Sequence, residues 1–161
     1  MNPNPVGFLQ QGLGFWALLT RALDALLPLT AFMARLYLAQ VFFLSGVTKL
    51  RDWGTTVTLF TDDYHVPYLA PSVAAAFGTA SELVLPVLLV LGLGGRFSAP
   101  GLFVMNIVAV ISLSEIAPAA LQQHVFWGSL LTALCVFGLG HWSLNRCVSP
   151  QKKVKFMIKL A

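Results

Sequence analysis

Four stretches of this chain stay apolar for about twenty residues each, the length needed to cross about 30 Å of hydrocarbon. They run from about Leu29 to Leu50, Ser72 to Gly94, Phe97 to Ile116 and Gln122 to Trp142. Lipid offers no water to satisfy backbone N–H and C=O groups, so segments of this kind must be helical. The expected fold is therefore all-α, an integral membrane four-helix bundle. Composition points the same way. The 161 residues are 57% hydrophobic and 10% charged, where an ordinary soluble domain carries about 25% charged residues. Mean hydropathy is +0.78. A soluble domain of this size could not bury so much apolar surface.

The connections set the order of the helices. Gly94, Gly95 and Arg96 form a very short link, which makes the second and third spans antiparallel neighbours. The first link is long, "RDWGTTVTLFTDDYHVPYLAP", with room for a short interfacial helix around "GTTVTLF" and a turn at Pro67 and Pro71. Residues 1–28 are apolar but interrupted by Gly12 and Gly14 and carry Arg21 and Asp24. They are expected to form an amphipathic helix lying in the interface. Residues 29–146 would form the four-span membrane domain and residues 147–161 a basic cytoplasmic tail. The N-terminus has no basic region ahead of an apolar core, so no cleavable signal is expected there.

Lys and Arg set the orientation. With both termini cytoplasmic, that side carries Arg21, Arg96, Arg146, Lys152, Lys153, Lys155 and Lys159, against Lys49 and Arg51 outside. Net charge is +4, concentrated in the tail. Such a tail suits anionic lipid, and the absence of any other basic face argues against nucleic acid. The expected location is a bacterial-type inner membrane.

Ionisable groups inside hydrocarbon are costly, at least about 2.5 kcal/mol each, and normally face a partner. Arg35 lies in the first span and Glu82 near the middle of the second. Their depths differ by about 9 Å, which a long Arg side chain nearly closes, so an Arg35–Glu82 pair is expected. That pair is either a helix lock or the lining of a polar site for a headgroup, a quinone carbonyl or a proton path. Pro86, four residues after Glu82, lacks an N–H and leaves the Glu82 carbonyl free. Gln40 and Asn106 are supporting polar groups at mid-depth, each worth about 0.6 kcal/mol as interhelical glue. Lys49, Arg51 and Trp53 suit the outer end of the first span, where the cations snorkel and the indole sits in an aromatic belt.

Several chemistries are disfavoured. His124 and His141 are seventeen residues apart, about 25 Å on one helix, and cannot share an iron. Cys135 and Cys147 would be about 18 Å apart on one helix, too far for a disulfide. No metal site, nucleophile triad or phosphate loop is recognisable.

The order "ARLYLAQVFFLSGVTKLRDW", "ASELVLPVLLVLGLGGRFSA", a Met in the third span and "GLGHWSLNR" resembles the DoxX family of small four-helix membrane proteins. The matching positions are Arg35, Gly46, Lys49, Glu82, Gly92, Arg96 and Ser143, with Asn145 standing where the family usually has Asp. The resemblance implies a left-handed bundle and association with oxidoreductases, quinone-linked or acting on thiols and sulfur. It also implies that Lys49 either joins Arg35 and Glu82 in a polar cluster or marks the outer mouth of the bundle; Arg96 is a further candidate supporting residue. The expected role is a non-catalytic accessory subunit with no cofactor of its own, working beside another membrane protein and compatible with homo-oligomers. The alternative is a non-enzymatic carrier or chaperone.

Overall fold

The computed structural model describes the backbone of residues 5–66, 68–93 and 97–138, and side chains from Leu13 onward within them. Among the described residues five helices follow one another: α1 (Pro5–Arg51), α2 (Trp53–Asp62), α3 (Pro71–Leu91), α4 (Ser98–Ser112) and α5 (Pro118–Phe137). Helices α1, α3 and α5 are long and apolar enough to cross a membrane. Helix α4 is apolar but has only 15 residues, about 22 Å of rise. Many large apolar side chains on these helices, among them Phe77, Val84, Val104, Ile111 and Val136, face outward. That is the expected surface of a helix whose solvent is lipid.

Helix α1 is continuous over 47 residues and runs through Pro28. The separate interfacial helix expected before residue 29 is therefore the first half of α1. Gly12, Gly14 and Pro28 do not break it, because in lipid a helix remains the cheapest way to satisfy the backbone around a proline. At about 70 Å, α1 is longer than the whole bilayer, about 45 Å with headgroups.

The second half of α1 lies antiparallel to α3. Gly46 meets Leu83 and Glu82 near one end of the contact, while Leu38 shares a core with Leu89 at the other. Helix α3 packs on α4, α4 on α5, and α5 returns to α1. The core inside this ring is Leu38, Phe42, Leu89, Leu102, Leu131 and Leu134. A second cluster, Phe60 with Ala74 and Ala75, seats α2 against α3.

Local chemistry sets the ends. Asp52 is the N-cap of α2: Thr55 N–H donates to its carboxylate at 3.0 Å and the Thr55 hydroxyl at 2.6 Å. Thr56 Oγ1 donates to the carbonyl of Lys49, in the last turn of α1 where carbonyls lack helical partners, and to that of Asp52, which also accepts from the Thr56 backbone N–H. Pro71 and Pro118 open α3 and α5, positions where a missing N–H costs nothing. Gly92 closes α3 at φ 65°. The bonds Gly92 N–H to Leu89 O and Leu93 N–H to Leu88 O complete the left-handed cap. Helix α4 stops at Ser112, short of the expected Ile116. His65 N–H donates to Ser112 O at 2.8 Å, and Tyr64 forms an isolated bridge with Leu113. The loop after α2 is thereby strapped to the end of α4.

Candidate functional site

Lys49 sits one helical turn beyond Gly46, on the α1 face that touches α3. A Cβ on Gly46 would lie 3.0 Å from the Leu83 side chain and 3.1 Å from Glu82 Cβ, so glycine is what allows this close approach. The result is a bidentate ion pair. Lys49 Nζ lies 2.6 Å from Glu82 Oε2 and 2.8 Å from Oε1, and also donates to Ser45 Oγ at 2.9 Å. The two side chains are only 16% and 13% exposed. Desolvated charges of opposite sign hold together best when their remaining polar positions are also hydrogen-bonded; Ser45 does this for Lys49, while among the described residues the Glu82 carboxylate is bonded by Lys49 alone.

Beside the pair is a cavity of about 200 Å³. Phe60 of α2, Tyr64 of the strap and Phe77 of α3 form aromatic walls, and Met105, Val108 and Ser112 of α4 face them. Phe60 and Tyr64 stack at 5.0 Å. The Tyr64 phenol is pushed above its ordinary value, first by burial and then by the negative charges of Glu82 and Asp63. Ser112 is 2% exposed, and its Oγ has no hydrogen-bond partner among the described residues. The site thus combines an ion pair, a phenol and a lone hydroxyl around an apolar interior.

Of the residues singled out in the sequence, the structure brings Lys49 and Glu82 together and places Arg35 elsewhere. Arg35 precedes Lys49 by fourteen residues on one helix, about 21 Å. The antiparallel register puts it level with the far end of α3. It is fully buried, with its guanidinium carbon 5.3 Å from the Phe32 ring centroid. The expected Arg35–Glu82 pair is corrected accordingly: Lys49 holds the carboxylate, because Gly46 brings α1 and α3 together at that level. Gln40 is exposed on an open groove between α1 and α3, beside Phe43, Pro86 and Val90. Arg96 lies outside the described residues, as do His141, Ser143, Asn145 and the basic tail.

Asn106 is buried but belongs to a different centre. Its Nδ2 donates to the His124 carbonyl at 2.9 Å, and its Oδ1 lies 2.8 Å from His124 Nδ1. The carbonyl can only accept, which fixes the amide's orientation. Oδ1 then accepts, so Nδ1 carries a proton, and in the neutral ring Nε2 holds the lone pair. Residues that sequence reasoning passed over are Tyr64, Phe60, Phe77 and Ser112. The only signal for Ser112 is a small polar residue near the end of an apolar run.

A ring of apolar helices around an apolar core, with a largely desolvated ion pair between two of them and large apolar side chains facing outward, defines an integral membrane protein. The family model for DoxX matches residues 30–115, more than half of the chain. The protein belongs to the DoxX family. The match takes in the second half of α1, α2, α3 and α4, and so includes both Lys49 and Glu82. Comparison with curated proteins finds no match, and comparison with solved structures finds none either.

Proposed function

We propose that this protein is an accessory subunit of a membrane-associated oxidoreductase, and that the cavity beside Lys49 and Glu82 receives a quinone-like group. The observation that carries this reading is the cavity itself. It has the apolar and aromatic walls that hold a ring, with charged and hydroxyl groups at its edge to orient ring oxygens. In this reading the second half of α1 with α3, α4 and α5 are the four spans. Both termini face the cytoplasm of a bacterial-type inner membrane, and the basic tail lies against anionic lipid. Electron transfer belongs to the partner, and this chain supplies a binding site and an anchor. Arg35 serves as a buried anchor at the opposite end of the bundle rather than as part of the site.

A second reading, a non-redox carrier or chaperone, is favoured by the first half of α1, where Leu18, Leu23, Leu26 and Leu27 are all exposed. Purification from native membranes in mild detergent separates the two. The first reading expects a redox enzyme at fixed stoichiometry, whose quinone-linked activity is lost in the Glu82→Gln variant while the variant still inserts. Full activity in that variant removes Glu82 from the mechanism. A non-redox partner at fixed stoichiometry selects the second reading.

A further inference from the structure

We infer that the cavity selects the hydroxyl-bearing form of a single aromatic ring, a hydroquinone-type phenol, over the corresponding carbonyl form. This rests on the reading of the cavity as a quinone-linked site and adds which redox form it prefers.

The preference follows from which hydrogen-bonding groups remain available. Lys49 Nζ has three N–H groups. They are engaged by Ser45 Oγ and by the two oxygens of Glu82. No donor is left on Lys49 for a quinone carbonyl unless the ion pair opens. The carboxylate differs: its oxygens offer about four acceptor positions, and Lys49 occupies one on each. Glu82 borders the cavity, so its remaining capacity is for a ligand O–H. A hydroxyl donating to a carboxylate makes a charge-assisted bond, roughly twice as strong as a neutral one. A second polar point is Ser112 Oγ, 98% buried on the α4 side of the same cavity and without a hydrogen-bond partner among the described residues. Buried hydroxyls are normally bonded, and a ligand oxygen there would complete Ser112; the Ser112 and Tyr64 hydroxyls both donate and accept and serve either form of the ring, so the discrimination lies at the Lys49–Glu82 edge. The volume suits one ring: a cavity of about 150 Å³ holds benzene, and this one, open on one side, is about 200 Å³. Phe60, Phe77 and Met105 supply the apolar faces that such a ring needs.

The test uses the full chain in lipid nanodiscs under anaerobic conditions. Three probes share one alkyl tail: a para-hydroquinone, its para-benzoquinone and its para-dimethoxybenzene. Calorimetry is expected to show the hydroquinone binding at least about tenfold more tightly than either of the others. Glu82→Gln should erase most of that preference. Should this variant fail to fold, Ser112→Ala serves as the second variant: it is expected to weaken hydroquinone binding about fivefold and leave the dimethoxy probe unchanged. Ala109 of α4 also lines the cavity; Ala109→Phe, which fills it, should abolish hydroquinone binding, and retained binding would place the ligand elsewhere and overturn the inference. Benzoquinone binding as tightly as hydroquinone overturns the donor preference but leaves the quinone-linked reading in place. Failure of all three probes to bind overturns both.

Discussion

Lys49 and Glu82, thirty-three residues apart in sequence, form a two-oxygen ion pair at 2.6 and 2.8 Å that clamps α1 to α3 beside the cavity. Removing one partner leaves the other charge desolvated, the costly way to break such a pair. Lys49→Met is expected to destabilise the protein by about 3 kcal/mol. The double variant Lys49→Met with Glu82→Leu should recover most of that loss, because no lone charge remains. Thermal unfolding in detergent of both single variants and the double variant measures the coupling. Simple addition of the two single losses would show that the groups do not stabilise one another.

The same contact depends on Gly46. Any side chain there must displace the Leu83 side chain or Glu82 Cβ, so Gly46→Val should cost about 1–3 kcal/mol by overpacking. Gly14 has nothing within 4 Å of a Cβ, and Gly14→Ala should be neutral or slightly stabilising through helix propensity. Equal effects of the two substitutions would contradict the close approach of α1 and α3.

His124 is expected to carry its proton on Nδ1 at neutral pH, because Asn106 Oδ1 can only accept. Nitrogen chemical shifts of labelled histidine report the tautomer directly. Asn106→Leu should release this constraint and cost about 0.6–1.7 kcal/mol, the range for hydrogen bonds between membrane helices. A Gly128 Cβ would lie 3.2 Å from Asn106 Nδ2, so Gly128→Val should disturb the same tautomer signal.

Tyr64 and Asp52 give the pH dependence at the strap and cap, with opposite signs. The folded state holds the Tyr64 proton more tightly than the unfolded chain does. Its contribution to stability is complete below the ordinary tyrosine value of about 10 and is lost as pH rises through the higher folded value. Tyrosinate absorbance should show a late phase from Tyr64, and Tyr64→Phe should remove it. Asp52 is held below the usual carboxylate range by the Thr55 hydroxyl and then by the Thr55 backbone N–H. Its contribution is present above about 3.9 and is lost as pH falls through the lower folded value. Asp52→Ala should flatten the acid limb and fray the start of α2, seen as faster hydrogen exchange at Thr55 and Thr56.

Much of the fold is legible in the residues alone. Long apolar runs dictate helices in lipid, so the existence of α1, α3, α4 and α5 follows from length and hydropathy. Helix α2 is readable from the "GTTVTLF" stretch, and Pro71 and Pro118 mark helix starts. The ends are less readable. The apolar run suggests a boundary near Pro28, yet the helix passes through it. Ile116 suits the end of the third span, yet the strap through Tyr64 and His65 pulls the chain out of the helix after Ser112.

Charge and hydropathy are properties of each residue where it stands. They suffice to establish a helical membrane protein in which Arg35 and Glu82 need buried surroundings that tolerate charge, while Lys49 reads as a snorkelling cation at the end of its span. Which cation meets the carboxylate is a matter of packing. Pairing depends on the antiparallel register of α1 against α3 and on the contact at Gly46, and neither can be read from depth along a single helix. The cavity is likewise invisible in one dimension. Its walls come from α2, the strap, α3 and α4, and it exists because α2 folds back and the loop after it bonds to the end of α4.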